Sequence, residues 1–161
     1  VYFERNRQGA EKRLVTRYTV SDAEQGENND ALLSHIGHSS VLVVEHNIVN
    51  QQLVTRMLEN NACHVDLASN GFEAVELFKQ NTYQLILMDC LMPEMDGYET
   101  TQIIRKIEKS TANTNRTPIV ALTTHAIDGE ADRCFKVGMD EFMAKPFKLA
   151  QLEMVLERYI N

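Results

Sequence analysis

The sequence predicts an α/β protein built on a five-stranded, parallel, doubly wound sheet. Three observations carry the prediction. Short apolar runs alternate, five times, with segments whose apolar residues recur at helical spacing. Parallel strands need a crossover between them, and helices provide one. The run Leu85–Met88 is wholly apolar, as a central strand covered on both faces must be.

In chain order, the first strand is Val41–Val44. Asn47 is placed to cap the helix that follows, with Ile48, Val49, Leu53, Met57 and Leu58 expected on one buried face. Val65 and Leu67 alternate with polar neighbours and mark a second strand. Asn70-Gly71 is a turn signal, after which Phe72, Val75 and Phe78 follow a helical period. Leu85–Met88 is the third strand. Pro93 and Asp96-Gly97 make the turn beyond it, and Tyr98–Lys109 reads as a helix with Ile103, Ile104 and Ile107 apolar. A polar loop, 110–117, ends at Pro118. Ile119–Leu122 is the fourth strand, and Ala126–Val137 a fourth helix stopped by Gly138. Glu141–Ala144 is a short fifth strand. Leu149, Leu152, Val155, Leu156 and Tyr159 make the last amphipathic helix.

Residues 1–40 differ. They are polar, with basic residues at Arg5, Arg7, Lys12, Arg13 and Arg17 and an almost apolar-free stretch over 21–30. They read as a linker or N-terminal arm, solvated rather than ligand-binding, with room for a helical turn at Ala31–Ile36. The domain proper is 41–161.

Composition narrows the function. The chain has 161 residues, 43% of them hydrophobic, and a formal charge of −7. Such an acidic chain is a poor partner for nucleic acid. No apolar run approaches the roughly 20 residues of a membrane span, so no membrane contact is expected. Cys63, Cys90 and Cys134 are widely spaced without a CxxC, which argues against a disulfide framework or a structural zinc site and suits a reducing cytoplasm.

The chemistry collects at the strand ends. In open parallel sheets, ligands bind at the carboxyl edge of the strands. The residues there are Glu45-His46, Asp89, Thr123-Thr124 and Lys145. Asp89 by itself is equally well a turn-starting acid. Brought together, the set acquires a chemistry. Asp89 offers an oxygen nucleophile and Glu45 a second carboxylate for a hard cation. Thr123 offers a hydroxyl and Lys145 a charge for a phosphoryl group.

Four stretches, VLVVEHNIVNQ, LILMDCLMPEMDGYE, PIVALTT and EFMAKPF, resemble those of response-regulator receiver domains, over about three quarters of the chain. The resemblance implies a flavodoxin-like sheet in the order 2-1-3-4-5. It implies that Asp89 accepts a phosphoryl group from phosphohistidine on a histidine kinase or histidine phosphotransfer protein. It makes Thr123 the switch hydroxyl, Lys145 the phosphate contact and Phe142 the aromatic switch. It makes Glu45, Asp89 and the backbone carbonyl of Leu91 ligands of Mg2+. The face made by the fourth helix, fifth strand and fifth helix then changes shape on phosphorylation and is a candidate homodimer surface. Arg13–Glu24, RLVTRYTVSDAE, is similar to the segment before the receiver in hybrid sensor kinases, so a longer, membrane-anchored parent is compatible. No kinase core is present in these residues. The enzymatic part is limited to promoting self-phosphorylation and slow loss of the group.

Two positions depart from the family. His46 stands where a second acid usually ligates magnesium directly. Either Glu45 and Asp89 still hold Mg2+ more weakly, or the domain is a degenerate receiver that binds partners without phosphorylation. Recruitment of zinc or manganese by His46 has little support in the sequence, since Cys90, the nearest soft ligand, is expected to face the core. Leu91 and His125 occupy the positions that tune phosphoryl lifetime. Leucine cannot orient a water, so slow hydrolysis is expected. A flavin carrier of the same architecture lacks its phosphate loop here, and an aspartyl phosphatase lacks its second acid at position 91.

Overall fold

The computed structural model describes residues 39–111, 115–125 and 129–160. The predicted arm lies outside them up to residue 38, including the turn at 31–36. The elements are β1 (Ser39–Val44), α1 (Ile48–Glu59), β2 (Cys63–Ala68), α2 (Gly71–Gln80), β3 (Leu85–Asp89), α3 (Gly97–Ser110), β4 (Ile119–Thr123), α4 (Glu130–Val137), β5 (Glu141–Ala144) and α5 (Leu149–Tyr159). All four strand pairings are parallel, and the order is β2-β1-β3-β4-β5, as the resemblance implies.

Strand alternation divides the sheet's side chains between two faces. Val41, Val43, Val65, Leu85, Leu87, Val120 and Leu122 pack with Val54 and Leu58 of α1 and Leu152, Val155 and Leu156 of α5. Leu42, Val44, Ile86, Met88 and Ala121 point to the other face and are equally buried. The central strands are buried on both sides, which is why they read as unbroken apolar runs. All three cysteines are buried and unpaired.

The helices begin where the sequence supplies caps. Asn47 Oδ1 accepts from the amides of Val49 and Asn50, Asn70 Oδ1 from Glu73, and Asp96 Oδ1 from Glu99. Gly138, in the left-handed region at φ 108°, closes α4.

Three expectations need correction. On α1, Ile48, Val49 and Leu53 are exposed (66%, 71% and 49%), while Val54, Thr55 and Leu58 are buried. At about 100° per residue, Leu53 and Val49 lie about 100° and 140° around the axis from Val54, outside the stripe that meets the sheet. Phe72 of α2 is also exposed, two residues before the buried Ala74–Val75 pair. The fourth helix starts at Glu130 rather than Ala126. Gly129, at φ 97°, interrupts helical geometry there, and residues 126–128 lie outside the described region.

Candidate functional site

The pocket begins with Glu45, the residue that leaves β1 and is fully buried. Its carboxylate is held on every side. Oε2 accepts from the Asn47 amide at 3.0 Å, and Oε1 accepts from Asn50 Nδ2 at 3.2 Å and from Lys145 Nζ at 2.6 Å. Gln51 Nε2 donates to the Glu45 main-chain carbonyl at 2.6 Å. The same turn that caps α1 therefore aims the acid across the sheet edge.

Asp89 ends β3 and is 3% exposed. Oδ1 accepts from the Leu91 amide at 3.2 Å and lies 3.2 Å from Lys145 Nζ. Oδ2 lies 2.7 Å from His46 Nδ1. That imidazole nitrogen is also 3.4 Å from Glu45 Oε2. Lys145 reaches the pocket because its amide donates to the Thr123 carbonyl at 2.7 Å, continuing the β4–β5 pairing by one residue.

The two acids share one lysine and respond to it unequally. Burial pushes Glu45 up, but the Lys145 ammonium and the Asn47 amide outweigh it, and its pKa falls below the ordinary carboxylate value. Burial also pushes Asp89 up; repulsion from Glu45 adds to this, and the more distant Lys145 does not cancel it. Asp89 is thus the more basic carboxylate of the pair.

The structure brings together Glu45, His46, Asp89 and Lys145, with the Leu91 main chain alongside. It leaves the others around the rim. The Thr123 hydroxyl is buried at the neighbouring strand end and bonds to the main chain of His125, accepting from its amide at 3.1 Å, rather than to Asp89. The His125 ring lies against Thr124 Oγ1 at 3.0 Å. Phe142 is half-buried and packs edge-on against Phe135 of α4, with ring centroids 6.5 Å apart. The Leu91 side chain is 49% exposed.

Sequence reasoning passed over several supports. Asn50 and Gln51, one turn into α1, signal their role only through polarity close after Glu45. Gly97 is more than the turn former its type suggests. A Cβ there would stand 2.2 Å from the Asp89 carbonyl oxygen, so the glycine lets α3 close against the strand end. Tyr98, next in the chain, donates its hydroxyl to Glu130 and carries Arg133 over its ring at 3.9 Å, tying α3 to the start of α4.

The donors suit a divalent cation. One atom each from Glu45, His46 and Asp89 lie within 4.8 Å of one another, and no other such group occurs among the described residues. Two oxygens and one nitrogen match what such ions accept. Chemically, the pocket combines a buried carboxylate with an ammonium and a backbone amide directed at it.

Fold and pocket together define a class, a doubly wound domain whose acid–lysine cluster sits where the strand order reverses. Residues 41–157 match the response regulator receiver domain family, and the chain belongs to it. It is 40% identical over 129 residues to hybrid signal transduction histidine kinase B of Dictyostelium discoideum, covering 75% of this chain and 7% of that protein. It is 36% identical over 120 residues to the signal transduction histidine-protein kinase BarA of Escherichia coli K12, covering 74% and 13%. The chain therefore spans only a small part of these kinases. Among solved structures, the receiver domain of a sensor histidine kinase from Pseudomonas aeruginosa PAO1, with magnesium in its active-site cleft, is 40% identical. It superposes with a TM-score of 0.69 over 77% of this chain and 98% of that one. The receiver domain of Ssk1 from Saccharomyces cerevisiae, crystallised with the phosphotransfer protein Ypd1, is 29% identical with a TM-score of 0.71, over 76% and 88%.

Proposed function

We propose that this chain is the phosphoacceptor module of a phosphorelay, with Asp89 receiving a phosphoryl group from a phosphohistidine. One observation carries the reading: Lys145 Nζ lies 2.6 Å from one buried carboxylate and 3.2 Å from another at the strands' carboxyl edge. In the transfer, an Asp89 oxygen bonds to phosphorus as the P–N bond of the donor breaks, and the electron pair of that bond stays on the donor imidazole. Lys145 and the Leu91 amide neutralise charge on the transferred group. Glu45, Asp89 and the Leu91 carbonyl are the residues that would hold Mg2+, which when bound offsets negative charge between donor and acceptor. Thr123 then exchanges its His125 main-chain bond for a phosphoryl oxygen, and Phe142 follows into the space it leaves. The Leu91 side chain, having no polar group to orient a water, leaves the product slow to hydrolyse.

The donor needs a dock, and Ile48, Val49 and Leu53 on α1, together with Leu91 two residues after Asp89, supply exposed apolar side chains for one. Its occupant is the phosphohistidine-bearing domain of a kinase or phosphotransfer protein, the kind of partner with which the Ssk1 receiver was crystallised. A second copy of the chain is the occupant we assign to the α4–β5–α5 face, where Phe135 and Met154 are exposed.

A second reading draws on the His46–Asp89 contact of 2.7 Å, which occupies the acceptor oxygen. On that reading the domain binds partners without being phosphorylated. Intact-mass measurement after acetyl phosphate, with and without Mg2+, decides between them. One phosphoryl adduct, absent in Asp89→Asn, is expected. No adduct in the native chain, or an undiminished one in the variant, sinks the first reading.

A further inference from the structure

We propose that Glu45, His46 and Asp89 form a mixed carboxylate–imidazole site that favours a first-row transition cation such as Zn2+ or Co2+ over Mg2+. The inference rests on the phosphoacceptor pocket described above and names the ion class it selects. Its ground is the orientation of the three donors. Lys145 Nζ holds Glu45 Oε1 at 2.6 Å and Asp89 Oδ1 at 3.2 Å. The opposite oxygens, Oε2 and Oδ2, are the ones near His46 Nδ1, at 3.4 and 2.7 Å. Two oxygens and one nitrogen thus converge, each carboxylate oriented from behind by the same ammonium. The Asn47 amide also donates to Oε2 and fixes that side further.

Charge and donor chemistry point the same way. Two carboxylates less one ammonium leave a net −1, and the imidazole adds a donor atom but no negative charge. An acid at position 46 would make it −2. Magnesium relies on hard oxygen donors and retains its waters. Imidazole suits zinc and cobalt and adds affinity for them that it does not add for magnesium. The ring is 44% exposed, so an ion has access from solvent. Cys90, by contrast, offers no thiolate. It is fully buried, and burial with the adjacent Cys134 pushes its thiol up to about 12.

The test titrates Mg2+, Zn2+ and Co2+ by calorimetry into the full chain and into His46→Asp and His46→Ala. Every protein carries His35→Ala and His38→Ala, so that arm imidazoles take no ion. Long-range proton–nitrogen NMR identifies the ring nitrogen that zinc shifts. The Zn2+-to-Mg2+ affinity ratio is expected to fall by at least about tenfold in His46→Asp, with Mg2+ gaining. His46→Ala is expected to lose Zn2+ affinity without that gain, and His46 Nδ1 to shift with zinc in the unsubstituted site. An unchanged ratio, or zinc shifts confined to other histidines, overturns the proposal. Acetyl-phosphate labelling of the same proteins is read separately. Labelling at Asp89 with an unchanged ratio leaves the receiver reading and removes this one, and a changed ratio with no labelling does the reverse.

Discussion

Asp89 and Glu45 compete for one ammonium, and the distances say which wins. Glu45 is 0.6 Å closer to Lys145 Nζ, at 2.6 against 3.2 Å, and keeps its charge. Asp89 bears the repulsion, and its pKa is raised above 3.8 by burial first and Glu45 second. The sign follows. The folded form binds the Asp89 proton more readily than the unfolded form, so stability from this group rises as pH falls from the raised value toward 3.8. Above that raised value its penalty is present in full. Asp89→Asn is expected to raise the melting temperature at pH 7, with the gain shrinking as the pH falls through the Asp89 titration; a constant difference across pH 7 to about 4 contradicts this. Gly97 works at the same scale. Gly97→Ala pushes a methyl onto the Asp89 carbonyl, and a loss of about 1–3 kcal/mol in denaturant unfolding is expected, together with weaker labelling. The acids, Thr123 and Lys145 were legible because each ends an apolar run. The contact at Gly97 was not, because its partner is eight residues away in sequence and meets it only in the folded chain.

At the scale of elements, the strands and caps were readable and the helix faces were not. Asn47 announces itself as a cap by residue type just before a periodic run, whereas Asn70 and Asp96 read as turn residues and prove to be caps as well. On α1 the sequence holds two apolar groups, and periodicity does not say which one meets the sheet. Val54 and Leu58 do, while Ile48, Val49 and Leu53 remain in water. If that second group docks the phosphoryl donor, Val49→Glu separates folding from transfer. Stability is expected to stay within about 0.5 kcal/mol, as for a free surface position. Labelling by acetyl phosphate is expected to be unchanged, and transfer from a phosphohistidine protein to slow at least about tenfold, the weight of one lost apolar anchor. Equal slowing with both donors removes the docking role. The α4 start is a second instance. Helical propensity runs back through Ala126, and one glycine at φ 97° ends it.

The whole molecule is anchored at the edge opposite the pocket by a group the sequence concealed. Arg105 lies in the apolar-spaced stretch of α3 and is 8% exposed. Its guanidinium donates to the carbonyls of Gly138 and Thr117 and to the carboxylates of Glu108 and Asp140. Asp140 also receives the Ile119 amide and Arg116, so α3, β4 and the approach to β5 meet there. Arg105→Ala takes one donor from each of those acids and carbonyls and the buried cation from between two carboxylates, although Arg116 still reaches Asp140 and Gly138, and about 3 kcal/mol of stability is expected to go, read as a lower urea midpoint with the slope unchanged. The alternation of strands and helices made the overall architecture legible, since only parallel pairing accommodates it. The clamp was not, because an arginine on a helix ordinarily reads as surface.

The sulfur atoms turn that architecture into its own clock. Cys90 and Cys134 are wholly enclosed and Cys63 nearly so, and burial raises the pKa of all three thiols. An alkylating reagent reaches them only when the interior opens, so mass added per minute counts openings. Cys63, 7% exposed at the start of β2, should tag first, and Cys90, next in the chain to Asp89, should report the breathing of the end of β3.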